Sequence, residues 1–152
     1  MSPVPPIGRP TREQVMQALF LHLQAIADFK TAGRRLKLWA DVPPGDQPAM
    51  FLVDHHEKST PQPRGLPNKL LLRANVFIYF QSGTDQTVTP DTLLNGYLDA
   101  LDVALAPDNV MDGVFSLGGM VDHCWVEGET LKDPGDLDGQ GLIIVPLNIL
   151  LP

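Results

Sequence analysis

The stretch GMVDHCWVEGETLKDPGDLDGQGLIIVPLNILLP, Gly119 to Pro152, decides the fold because it reads as two strands joined by an acidic turn. The first strand is expected from about Val121 to Leu131 and the return strand from Gly141 to Leu151. Between them Asp133-Pro134-Gly135-Asp136 supplies a proline that presets φ and a glycine free to adopt φ > 0, which a reversal needs. In the return strand Ile143, Val145, Leu147 and Ile149 share one face by the period of two, so the hairpin has a side that must be buried. Pro146 has no N–H for a ladder, which predicts an edge or bulged strand there.

Working back from the hairpin, a second helix is expected to start at Thr89 as N-cap. Pro90 stands at the first helical position and Asp91 in the first turn, where the helix dipole favours an acid. Its apolar stripe is Leu94, Tyr97, Leu98, Leu101 and Leu105, and Pro107 ends it. Gly96 inside it marks either close packing against a sheet or a tolerated defect. Before that helix, Leu70, Leu72, Ala74, Val76, Ile78 and Phe80 alternate with residues that include Phe77 and Tyr79. This gives a long strand, Asn68 to Gln81, with apolar groups on both faces. One face suits the helices and the other a neighbouring subunit.

The first helix opens with Thr11 and Gln14 in capping-box spacing. Val15, Leu19, Leu23 and Ile26, with Met16 and Phe29, form its core stripe. Gly33 is a natural stop, Leu36 to Trp39 alternates as a short strand, and Ala49 to Asp54 reads as its partner after Pro43-Pro44-Gly45. From His56 to Pro67 three prolines and few apolar groups predict a long loop, a length that is usually functional or disordered. Val114 to Leu117 is a further short strand, closed off by Gly118-Gly119. No repeat and no βαβ rhythm appear. The expected fold is α+β, a mostly antiparallel sheet with two main helices packed on one face and a closing C-terminal β-hairpin. Met1 to Pro10 reads as a flexible proline-rich arm and residues 11–152 as one domain.

A chain of 152 residues with 43% hydrophobic content can bury a core. It has no apolar run near the ~20 residues that cross a bilayer, and four prolines occupy Met1 to Pro10 where a signal peptide would be apolar. One cysteine, Cys124, allows no internal disulfide and suits a reducing cytoplasm. The net charge of −7 is uneven. Residues 1–73 hold ten of the eleven Lys and Arg against six acids, a net of +4, and residues 74–152 hold one Lys against twelve acids, a net of −11. The acidic second half argues against a nucleic-acid reader, which concentrates basic surface. The split is either ordinary solvated charge or the mark of a subunit with one basic and one acidic region, built to stack on unlike neighbours or line a channel for DNA.

Taken together, the order of elements from Pro10 to Pro152, closing on Glu127-Gly128-Glu129 and DGQGLIIVPLNILLP, resembles the tail terminator proteins of long-tailed bacteriophages and prophages, the minor tail proteins of the lambda U type. The resemblance implies a structural virion protein with no enzymatic activity and no cofactor. Such a protein forms a hexameric ring that caps the tail tube, stops its polymerisation and offers a surface for head–tail joining. Its partners would be copies of itself, the tail tube protein and the head–tail connector. It would recognise no nucleic-acid sequence, although the genome would pass through the ring, and it would bind no membrane. Its place would be the head-proximal end of the tail, and the host cytoplasm during assembly. Family members use protruding loops for contacts, which points here to Lys58, Arg64 and Lys69 and, in the acidic turn, Asp133, Asp136 and Asp138.

Two other readings stand beside it. One is another head completion or connector protein. The other is a small metal-dependent hydrolase built on Asp54-His55-His56-Glu57, since adjacent histidines and carboxylates can hold a divalent ion. That motif lacks further ligand aspartates and the parallel sheet such enzymes use, and it is not the His-Glu-x-x-His spacing of a helical zinc site. His123 and Cys124 are strand neighbours pointing to opposite faces and form no dyad. His22, inside the first helix's stripe, is expected to be a satisfied boundary residue.

Overall fold

Every expected core stripe of the two helices ends up against the same side of one sheet. A computed structural model describes residues 9–152, so the expected arm at Met1 to Pro10 lies largely outside the described residues. Helix α1 spans Arg12–Gln24 and α2 Pro90–Ala104. The six strands are β1 Thr31–Gly33, β2 Ala49–Thr60, β3 Lys69–Gln81, β4 His123–Val126, β5 Leu131–Asp133 and β6 Gln140–Leu150. Their order is β1-β2-β3-β6-β4, with β5 also paired to β6. All pairings are antiparallel except β1 with β2, so the fold is α+β on a mostly antiparallel mixed sheet.

Local chemistry explains the helices. At α1 the Thr11 side chain accepts from the Gln14 amide while the Gln14 side chain accepts from the Thr11 amide, so the capping box is closed in both directions. Val15, Met16, Leu19, Phe20 and Leu23 are buried on its inner side. The helix stops at Gln24, well before Gly33, which lies in β1 instead. At α2 Pro90 opens the helix as expected, but Thr89 makes no side-chain cap. Leu94 and Leu101 are buried, with Tyr97, Leu98 and Leu105 packed partly against the core. Gly96 has open space around it, so it is a tolerated defect rather than a close approach. Among the described residues no helix is long and apolar enough to cross a membrane.

The core between helices and sheet is built from the even residues of β3, Leu70 to Phe80, and from Ile143, Val145, Leu147 and Ile149 of β6. Burial of these side chains follows the alternation in the sequence. The opposite face is only half covered. Trp39 and Val42 fold over Ala49, Phe51, Phe77, Tyr79 and Leu142 in a second small cluster. The segment carrying them forms two one-turn 3-10 helices, Trp39–Asp41 and Pro44–Asp46, rather than a strand. The expected strand at Leu36 to Trp39 therefore does not form, and Leu38 stays 74% exposed. Pro43, Pro44 and Gly45 follow at once and turn the chain, and Trp39 packs over the sheet face instead of pairing.

Three further expectations are corrected. The strand after Pro48 does not end at Asp54 but runs to Thr60, paired with β3 down to Lys69. The expected loop from His56 to Pro67 thus shrinks to residues 61–68, at the tip of a long hairpin. A strand as long as β3 needs a backbone partner along its length, and that demand outweighs the polar composition of His55 to Thr60. Val114 to Leu117 forms one isolated bridge, Asn109 with Val114, rather than a strand.

The third correction concerns the closing hairpin. Its first arm is two short strands, not one from Val121 to Leu131, and β6 lies inside the sheet, not at its edge. β4 pairs with Leu147 to Leu150 and β5 with Leu142 to Ile144, and the chain between them leaves the ladder beside Pro146. Pro146 O accepts from Glu127 N at 3.3 Å, so its nitrogen faces the same side, where no strand asks for its missing hydrogen. Gly128, at φ 116°, passes so close that a Cβ there would sit 3.1 Å from the proline ring. Gly135, at φ 75°, makes the acidic turn as expected.

Candidate functional site

The six residues singled out for contacts fall at two opposite ends of the sheet. Lys58 is exposed on β2, opposite Leu71 of β3. Arg64 sits at the hairpin tip in left-handed backbone, φ 61°, next to Gly65. Lys69 opens β3 but is ion-paired with Asp122, so its charge is partly spent within the chain. Asp133 closes β5, and Asp136 and Asp138 lie in the turn to β6. Asp136 lines a hollow with Thr89 and Pro90 at the start of α2.

Asp133 and Asp138 instead line a cavity of about 260 Å³ with Trp39, Tyr79, Gln140 and Leu142. Sheet register creates it: Tyr79, Leu142 and Asp133 are neighbours across β3, β6 and β5, and Trp39 closes one side. The Trp39 and Tyr79 rings are 4.9 Å apart. The Tyr79 hydroxyl donates to Lys37 O at 2.7 Å, and burial raises its pKa above the ordinary phenol value. One oxygen of each carboxylate is held by backbone: Asp133 Oδ1 accepts from Gly135 N at 3.1 Å and Asp138 Oδ1 from Gln140 N at 3.0 Å. The aromatic walls are not legible in the sequence, where the alternation at Leu36 to Trp39 implies a strand.

The Asp54 to Glu57 segment lies mid-strand at a bulge of β2, not at a strand end. His55 and His56 hydrogen-bond through their Nδ1 atoms, their rings 4.7 Å apart, both exposed. Glu57 is drawn to Arg12, accepting from Nε and Nη2 at 2.6 and 2.8 Å, and this contact lowers its pKa. Asp54 is shifted up, first by partial burial and then by the nearby Glu57, against the pull of His55, Arg34 and Arg12. Among the described residues no three His, Cys, Asp or Glu side chains come together as metal ligands.

The other expected non-sites are placed as foreseen. Cys124 points into the core and burial pushes its thiol up to about 12, so it stays protonated. His123 faces the other way, stacked 4.7 Å from Trp125, with Nδ1 accepting from Phe115 N at 3.3 Å. His22 Nε2 donates to Ala104 O at 2.7 Å and ties α1 to the end of α2.

Asp108 is a residue that sequence reasoning passed over. Its carboxylate accepts from Ser116 N, Ser116 Oγ and Gly118 N at 2.7 to 2.8 Å, closing the loop after α2. The Gly118 and Ser116 amides hold its pKa down to about 2. A lowered folded pKa stabilises above the unfolded value, ~3.9, and that contribution is lost as pH falls through about 2. We expect the protection of the Ser116 and Gly118 amides, relative to their intrinsic exchange rates, to fall across that window, and Asp108→Asn to remove that change. A midpoint near the unfolded value would refute the assignment.

The chain matches no protein-family model and no curated protein.

Proposed function

We propose that this chain is a structural, non-enzymatic subunit of a tailed-phage virion, a tail terminator that assembles as a hexameric ring on the end of the tail tube. What supports the reading is the asymmetry of one rigid sheet. A long hairpin carries Lys58 and Arg64 at one end, and the other carries the acidic turn. A terminator needs unlike surfaces, one that mimics the tube's own contacts and one that offers the next tube ring no complement. The fold class is the expected α+β one, and the assignment to this family rests on the resemblance in the sequence. In this reading the ring also presents a joining surface to the head connector.

Negative-stain imaging of the protein mixed with short tubes of its own phage tests the proposal. Caps on tube ends that block further growth are the expected result. Protein that ignores tubes yet decorates filled heads would replace this reading with that of a head completion protein.

A further inference from the structure

We infer that neighbouring copies of this chain join head to tail, the aromatic-walled acidic cavity of one receiving the basic tip of the β2–β3 hairpin of the next. This rests on the ring-forming reading above and names the contact that would close the ring.

The chemistry of the cavity selects a cation. Trp39 and Tyr79 line it with aromatic rings, and an aromatic ring attracts an ammonium or guanidinium group. Asp133 and Asp138 are each anchored through Oδ1 by a backbone amide, which leaves each Oδ2 with no protein donor among the described residues. Two carboxylates in an aromatic-lined cavity match an Arg or Lys side chain better than a neutral or anionic group.

The same chain carries a group of that kind where it cannot reach its own cavity. Lys58 and Arg64 take part in no ion pair among the described residues. Arg64 is held at the apex by a left-handed backbone turn beside exposed Leu66. Along β3, Lys69 at the hairpin end and Tyr79 at the cavity are ten residues apart, roughly 33 Å at the rise of an extended strand. Plug and socket thus lie at opposite ends of one long strand. A contact of unlike surfaces between copies is heterologous, and such contacts generate rings when the rotation closes.

Charge reversal on each side separately, followed by mixing, tests the contact. The socket variant is Asp133→Lys with Asp138→Lys, and the plug variant is Lys58→Glu with Arg64→Glu. All these side chains are exposed, so both variants should fold, which circular dichroism checks. In sedimentation at low salt, wild type is expected to associate, and each variant alone to associate at least ~10-fold more weakly. The mixture is expected to recover, because the acidic plug then meets the basic socket and the unaltered basic plug meets the unaltered socket. A wild type that stays monomeric at low salt, variants that associate like wild type, or a mixture that fails to recover would each overturn the inference. If the socket variant still caps tubes as well as wild type, the inference falls and the terminator reading stands. If mixing restores rings that ignore tubes, the terminator reading falls and the contact stands. A monomeric wild type that loses tube binding in the socket variant assigns the cavity to a different protein.

Discussion

Gly141→Val is expected to destabilise the fold by ~3 kcal/mol, near the upper end of what overpacking a dense core costs. Gly141 is buried in β6 directly opposite Phe80 of β3, and a Cβ built on it would land inside the Phe80 ring. Phe80 is 1% exposed and packs with its ring centroid 5.5 Å from that of Tyr97 on α2. The ring therefore cannot swing aside without moving the helix. Urea unfolding measures the loss. Phe80→Leu should recover part of it in the double variant, because the two residues are in contact and their effects are not additive. A Gly141→Val protein as stable as wild type would show that the ring does not lie over the glycine.

The second large effect tests how α1 is seated. Leu19 is fully buried at the centre of its inner stripe, while Leu21, two residues on, is 52% exposed. Leu19→Ala should cost ~3 kcal/mol from lost transfer energy and the cavity left behind. For a chain of this size that lowers Tm by very roughly 10 °C. Leu21→Ala should stay within ~0.5 kcal/mol, as substitutions away from the core do. Equal losses at both sites would place the helix face wrongly. Thermal unfolding of the two single variants decides it.

Periodicity carried the parts of this fold that are locally determined. The alternation in β3 and β6, the capping box of α1 and the Pro90 start of α2 each reflect interactions within a few residues, and each appears where the sequence implies. What was not legible depends on partners distant in sequence. His55 to Thr60 has the composition of a loop, and becomes strand only because Lys69 to Arg73 stands opposite. Leu36 to Trp39 alternates like a strand but pairs with none, and Trp39 covers a face of the sheet instead. Pro146 reads as an edge residue, yet a proline is tolerated inside a sheet when the neighbouring chain departs from the ladder beside it. For the candidate site, the acidic turn and the basic hairpin were visible as charge, while the cavity was not, since it needs residues from three strands and the 3-10 segment at once.

The break beside Pro146 also divides the last part of the sheet into two units of unequal persistence. β4 places Cys124 in the core and is anchored there, whereas β5 is three residues long and all of them are exposed. β5 buries no side chain of its own, so peeling it away leaves the β4 ladder intact. Opening of that kind requires only a small part of the global unfolding free energy, so amides of residues 131–133 should exchange with solvent long before those of β3. One wall of the Trp39–Tyr79 cavity is thereby carried on the part of the sheet that opens most readily, and whatever cation enters would hold that wall shut.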